Sequence, residues 1–207
     1  LRRKVFLWIS VCFLLNACSF KNYRAFKSTD LEYTPGMVMP VAAEWGKKAL
    51  FDINLAFYNK HFSGLLFIKE VGEETYRIAM MSHLGLSIFD MEVAHGVGQI
   101  NNIIPAMDKK VIRQLLINDF EYLFRPERNA RFQNIRASDQ YQLVKLKEGR
   151  ARNYYGLADE HIHWIDHCGW LRKKKSFLIQ YGEKGELKSV GIMHHNFKLK
   201  MNLERKG

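Results

Sequence analysis

The residues of this chain closest to a metal-binding group are His161, His163, His167 and Cys168. On an extended segment positions 161 and 163 share a face, so two imidazoles could converge on one ion. Zinc asks for three or four ligands at short fixed spacings, and nothing nearby completes the set. His194 and His195 point to opposite faces of a strand and make a weaker pair still. The histidines therefore read as solvated or hydrogen-bonded groups beside a turn, and neither a metal nor another cofactor is expected. Asp90 and Glu92 can sit together on one strand face, for which a solvated face is the plainer account. No Gly-x-Ser-x-Gly elbow, phosphate-binding loop, dinucleotide fingerprint or His-Glu-x-x-His run is present. No catalytic residue is assigned, and the chain reads as a non-enzyme. The basic run Arg172-Lys173-Lys174-Lys175 lies at a strand start. Nucleic-acid binding would ask for aromatics interleaved with basic residues along the strand, so no nucleic-acid partner is expected. Lysines that discourage aggregation at a sheet edge explain the run better than contact with acidic lipid headgroups.

The elements that carry these residues are mostly strands. Leu50 to Tyr58 alternates cleanly, with Phe51, Ile53, Leu55 and Phe57 on one face and Asp52, Asn54 and Tyr58 on the other. Three apolar runs follow, His61 to Lys69, Thr75 to Met81 and Leu86 to Val93, joined by Gly72-Glu73-Glu74 and Ser82-His83-Leu84-Gly85. Runs of this length between Gly-bearing turns predict an antiparallel meander. Phe62, Leu66 and Ile68 alternate with Leu65, Phe67 and Val71, so both faces of such a sheet need cover, or one must line an apolar cavity. A short strand over Gln99 to Ile104 stops at Pro105. The one convincing helix then starts near Asp108 as N-cap, shows Val111, Ile112, Leu115, Leu116, Leu123 and Phe124 at helical spacing, and ends at Pro126. Strands return at 141–147, 152–157, 161–166, 171–181 and 187–203, the last with Met193, Phe197, Leu199, Met201 and Leu203 on one face. Many strands against one strong helix predict a mainly β fold, a curled antiparallel sheet rather than a doubly wound one.

At 207 residues with 47% hydrophobic content the chain can bury one sizeable core. At its start Arg2-Arg3-Lys4 precedes an apolar run from Val5 to Leu15, and Leu15-Asn16-Ala17-Cys18 follows. Eleven apolar residues are too few for a spanning helix, which takes about 20. Basic residues, apolar run and small-residue site in that order predict a signal peptide over 1–17. Its removal takes three of the 32 Lys and Arg, leaving 29 against 21 Asp and Glu, a net charge of +8 rather than +11. Cys12 leaves with it, so Cys18 and Cys168 remain, and a modified Cys18 leaves no disulfide to hold the fold. Residues 19 to about 47 show no sustained period and read as a tether, with Met37, Val38 and Trp45 able to pack on the domain.

The tetrapeptide ending at Cys18 resembles the lipobox of bacterial lipoproteins, in which the cysteine becomes the lipid-modified first residue. Behind it, the meander from Gly64-Leu65-Leu66-Phe67 through Thr75-Tyr76-Arg77-Ile78 to Ser82-His83-Leu84-Gly85-Leu86, closed by Phe197-Lys198-Leu199-Lys200-Met201, resembles the outer-membrane lipoprotein receptor family LolB and the LolA-like periplasmic carriers over roughly residues 47 to 203. The resemblance implies a curved, half-open antiparallel β-barrel lidded by helix, with an apolar cavity for acyl chains. The division it implies is a signal peptide at 1–17, a lipidated N-terminus and tether at 18–46, and a half-barrel at 47–207. Phe62, Phe67, Met80, Met81, Phe89, Met91, Leu115 and Leu116 are the candidate cavity lining, since flexible apolar and aromatic groups suit an acyl chain. For any single one of them a plain core position is the better reading. In the receptor family an exposed leucine follows Asn-Pro in the turn after the third strand and helps pass cargo to the membrane. Here the turn is Ser82-His83-Leu84-Gly85, where leucine and glycine match and proline does not. Leu84 is thus the candidate membrane-transfer residue, unless it folds back on Trp45. The implied partners are lipid acyl chains or other lipoproteins, and the membrane through an anchor at Cys18, on the periplasmic side of the outer membrane. A structural or assembly lipoprotein reusing the fold as an interaction module is the alternative. A periplasmic hydrolase or a lipocalin ranks below both, because Glu44-Trp45-Gly46 reverses the order of the lipocalin Gly-x-Trp.

Overall fold

The computed structural model describes residues 23, 25–34, 36–125, 127, 130–170 and 172–206. The expected signal peptide and Cys18 lie outside these residues. Strand β1 is a two-residue bridge at Lys27–Ser28. A 3₁₀ turn, Val41–Trp45, leads into a five-strand meander of β2 (Lys48–Phe57), β3 (Lys60–Gly72), β4 (Thr75–Ser82), β5 (Ser87–Ala94) and β6 (Val97–Ile103). Helix α1 (Lys110–Phe124) separates this from a seven-strand meander of β7 (Arg131–Ala137), β8 (Gln142–Glu148), β9 (Ala151–Ala158), β10 (His161–Cys168), β11 (Lys173–Tyr181), β12 (Leu187–His194) and β13 (Leu199–Arg205).

All the strands join one antiparallel sheet in the order β1-β7-β8-β9-β10-β11-β12-β13-β2-β3-β4-β5-β6. The two meanders are sewn together by β13 against β2, with Met201 opposite Leu55 and Leu203 opposite Ile53. β6 and β7 are not paired to each other, so the sheet curls without closing. The chain passes between these far strands through α1, which covers the concave face.

Period-two alternation decides which side chains go inside. On β2 the buried set is Phe51, Ile53, Leu55 and Phe57, as the pattern predicts. Leu66 and Ile68 of β3, Ile78 and Met80 of β4, and Phe177 and Ile179 of β11 extend the same core. Trp45 plugs one end of it, edge-on to Phe51 and to Phe124 of α1 at centroid distances of 5.6 and 5.1 Å. Val38, Val41 and Trp45 are almost fully buried, so this part of the lead-in packs on the domain through its apolar side chains. Their apolar side chains find an open barrel end, and burial of each contributes about 1.5 to 3 kcal/mol.

Three expectations about the strands change. β7 carries only one buried side chain, Ile135, and its polar sequence hides it from any periodicity argument. The single run expected over 187–203 is two strands, turned at 195–198 without glycine or proline. Met193 is consequently exposed while its neighbour His194 is buried. β11 is an interior strand between β10 and β12. The edge-lysine reading of 172–175 therefore fails, and Lys175 points inward.

Candidate functional site

The concave face and the helix over it form the region where a cargo cavity would lie. Ile112, Leu116, Asp119, Phe120, Leu123 and Phe124 are the buried side of α1. The stripe is rotated from the expected one: Val111 is exposed, Leu115 is only half-buried, and Phe120 joins the core. Asp108 does not cap the helix; Lys109 occupies that position without a side-chain bond. Asp108 pairs instead with Arg113 at 2.5 Å.

Of the candidate lining, Met80, Phe89, Met91 and Leu116 are brought together beneath the helix and have 0% exposure, so they pack against protein on every side. Phe62 and Leu115 pack at the margin of the same core. Phe67 and Met81 do not belong to the set, being 42% and 37% exposed. In the β3–β4 ladder Leu66 faces Met80, while Phe67 faces Ala79 and Met81 faces Leu65. One-residue steps along a strand change face, so neighbours such as Met80 and Met81 cannot line one cavity.

A buried polar seam fastens the far side of the helix to the second meander. Lys175 Nζ donates to Asp119 Oδ1 at 3.0 Å and to the Asn118 carbonyl at 3.3 Å. His194 Nε2 donates to Asp119 Oδ2 at 2.7 Å. The ammonium also lies 4.1 Å from the centroid of the Tyr122 ring, a favourable cation–π placement. One turn on, the Tyr122 hydroxyl is 3.0 Å from Glu148 Oε2 and 2.8 Å from His167 Nδ1, which is itself 2.7 Å from Asn153 Oδ1. Burial pushes the Lys175 pKa down while Asp119 opposes it. Burial, aided by Lys175 and Lys174, lowers His167 to about 4. His167 is therefore neutral at pH 7, and its ring nitrogens serve as hydrogen-bonding groups.

A signal for this seam exists in the sequence. Lys175 lies in register with Phe177 and Ile179, His194 with Val190 and Ile192, and Asp119 seven residues after Ile112. Three ionisable residues at apolar positions are best explained by one another. His161 and His163 do not join them: His161 Nδ1 is 2.9 Å from Glu44 Oε1, and His163 stands edge-on to Tyr141 and Tyr181. Among the described residues no three His, Cys, Asp or Glu side chains cluster as metal ligands.

On the opposite face of the sheet, Tyr23 stacks on Tyr154 at 4.4 Å and lies 5.9 Å from Trp164. Gly156 makes room for that indole, since a Cβ there would fall 2.0 Å from it. The Tyr23 hydroxyl donates to Asp166 Oδ2 at 2.6 Å. Lys173 pairs with the same oxygen at 2.6 Å, and the Ser176 hydroxyl donates to Asp166 Oδ1 at 2.6 Å. His195 Nε2 is 2.8 Å from Ser176 Oγ. A serine nucleophile needs histidine between itself and the carboxylate. Here serine is in the middle, and the cluster clamps Tyr23. Cys168 lies in the same apolar cluster, its thiol pKa raised by burial.

The turn between β4 and β5 is held by Ser82. Its carbonyl accepts from Gly85 N–H at 2.9 Å, its hydroxyl accepts from Leu86 N–H at 3.1 Å, and Gly85 takes the left-handed φ of 82° that closes the turn. Leu84 stands outward at 89% exposure and does not fold back on Trp45. A cleft of about 620 Å³ lies at the surface instead, between residues 34–39 and the turns at 138–142 and 157–160.

No protein-family profile matches this sequence. No curated protein sequence matches it either. Among solved structures, a LolA superfamily protein from Nitrosomonas europaea is similar over 82% of this chain and 93% of its own, with a TM-score of 0.54 at 6% identity. A DUF1329 family protein from Desulfovibrio piger covers 81% of this chain and 92% of its own, with a TM-score of 0.44 at 8% identity. A domain from Vibrio parahaemolyticus described as an outer membrane lipoprotein-sorting protein covers 81% and 87%, with a TM-score of 0.42 at 9% identity. The chain has a LolA-like fold, a curled antiparallel sheet left open and covered by helix.

Proposed function

We propose that this protein is a lipid-anchored component of the bacterial cell envelope that binds acyl chains or lipoproteins beneath α1, without enzymatic activity, and serves lipoprotein localisation to the outer membrane. The observation that carries the reading is the LolA-like sheet whose concave face is covered by one helix. Phe62, Met80, Phe89, Met91, Leu115 and Leu116 would contact the acyl chain once the helix is displaced. Cys18 is the acylation site in this reading, on the order of basic residues, apolar run and cysteine in the sequence. Leu84 is the residue that enters the bilayer during transfer, because a large aliphatic side chain fixed at 89% exposure gains nothing from water.

The filled interior favours a second reading. With Met80, Phe89, Met91 and Leu116 at 0% exposure, the domain could act as an interaction module with no ligand. A reversible lock on the helix separates the two. A Cβ at Gly98 would stand 3.0 Å from Ile117 Cγ2, so G98C with I117C places two thiols at the junction of β6 and α1. Native mass spectrometry should find bound lipid on the reduced protein and little on the oxidised one. No lipid in either form would select the interaction module. Intact mass tests the anchor separately: a chain extracted from membranes should begin at Cys18 and carry added acyl mass. L84E should leave folding intact and slow transfer of a lipidated cargo to liposomes.

A further inference from the structure

In an antiparallel meander every second turn lies at the same end of the strands, so the hairpins of this sheet sort into two rims. The hairpin turns of one rim, at 73–74, 95–96, 138–141, 159–160 and 182–186, carry Glu73, Glu74, Asp139, Asp159, Glu160, Glu183 and Glu186 against the single lysine Lys184, while the start of β2 and the end of β13 add Lys47, Lys48 and Lys206 to the same rim. The other rim, formed by 58–59, 83–86, 149–150, 169–172 and 195–198, carries Arg150, Arg172 and Lys198 and no acid. The large exposed apolar side chains of the turns fall on this second rim as well. Leu84, Leu86 and Tyr58 stand there, and Trp170 protrudes at 78% exposure from the β10–β11 turn.

The Trp170 turn is braced from below. Arg152 donates to the carbonyls of Gly169 and Trp170 at 3.3 and 2.8 Å. The stem of Lys174 crosses Gly169 so closely that a Cβ there would fall 2.6 Å from Lys174 Cε. An indole held outward among basic side chains has the composition of a membrane-interface contact, where Trp sits at headgroup depth and Lys and Arg meet anionic lipid. The N-terminal segment arrives at the same place. Tyr23 is clamped to Asp166, two residues from the rim-side end of β10. Cys18 precedes Tyr23 by five residues, which at full extension span about 18 Å. A membrane reached through that cysteine lies within touching distance of this rim.

We propose that the rim bearing Trp170 is the face this protein lays on an anionic phospholipid bilayer, with Trp170 at headgroup depth, Arg172 and Lys174 on lipid phosphates, and Leu84 as a second contact along the rim. The rim with the acidic turns then faces away from the membrane. The proposal rests on the anchor at Cys18 and goes beyond cargo binding, which it does not need.

The test uses the full chain extracted from membranes and reconstituted in vesicles of phosphatidylethanolamine and phosphatidylglycerol with brominated acyl chains. The difference between wild-type and W170F emission isolates Trp170, and an unchanged unfolding midpoint in W170F confirms that the fold is kept. Trp170 should be quenched by the brominated lipid. Each charge removed by R172Q or K174Q should lower the docked population about fivefold, and phosphatidylcholine in place of phosphatidylglycerol should act in the same direction. Trp170 emission indifferent to brominated lipid would overturn the proposal. So would quenching in neutral vesicles, or in an R172Q/K174Q double variant, as strong as that of the wild type on anionic vesicles. Protection of Trp170 that appears only when an acidic protein is added would reassign the rim to that partner. Loss of bound lipid in native mass spectrometry with Trp170 quenching intact would remove the cargo reading and leave this one standing.

Discussion

Asp119 is the residue on which the helix and the second meander depend together. It is fully buried, and both carboxylate oxygens are engaged, one by Lys175 and one by His194. D119N keeps the shape but leaves the Lys175 ammonium without its counter-charge in the interior, and one-sided removal of a buried pair costs about 3 to 5 kcal/mol. Urea unfolding should show that loss, and D119N with K175M should recover much of it. His167 supplies a pH dependence. Its pKa is near 4 in the folded chain, against about 6.5 when unfolded. Between these values the unfolded chain binds a proton that the folded chain does not, so stability should decline as pH falls from about 6.5 towards 4. Urea midpoints measured across that window should fall less in H167Q than in wild type. These residues were legible in part. Lys175 and His194 occupy inward registers beside Phe177 and Ile192, but a run of four basic residues reads as surface until the alternation is followed through it. Leu84 was left undecided between solvent and core because a four-residue turn can aim its second side chain either way.

At the scale of elements, α1 is held by two unlike surfaces, apolar towards β5, β6 and the 3₁₀ turn, and polar towards β9 to β12. L116A should cost about 2 to 5 kcal/mol, because Leu116 is fully buried. L115A should cost clearly less, since its side chain sits at the margin. Equal unfolding midpoints for the two variants would contradict this placement of the helix. The first meander is legible in the sequence because β2 alternates cleanly, the runs that follow have strand length, and the turns between them bear glycine or acidic residues. The periodicity places the helix correctly but rotated, since its apolar stripe omits Phe120 and Asp119. β7 was not found. A strand with only the two-residue β1 beyond it, burying only Ile135, leaves no periodicity to read, and its pairing with β8 rests on backbone hydrogen bonds that any sequence can make.

The whole molecule follows from one pairing, β13 against β2. No pattern within either strand announces it, because both have one apolar face and could pair with any neighbour of like register. A chain ending before Leu199 lacks this strand and should show no cooperative unfolding by calorimetry, whereas loss of an edge strand would only shorten the sheet. β13 follows all the other described strands in sequence, yet it stands at the middle of the sheet. Wherever the polypeptide is delivered progressively, as from a ribosome or through a membrane pore, the first meander and strands β7 to β12 can form early but must wait for β13 before they meet. During that wait β2 and β12 are bare edges that can recruit strands from other copies. The time between release of the first meander and arrival of residue 205 is therefore when this protein is most exposed to aggregation, and a holding chaperone would be of most use to it then.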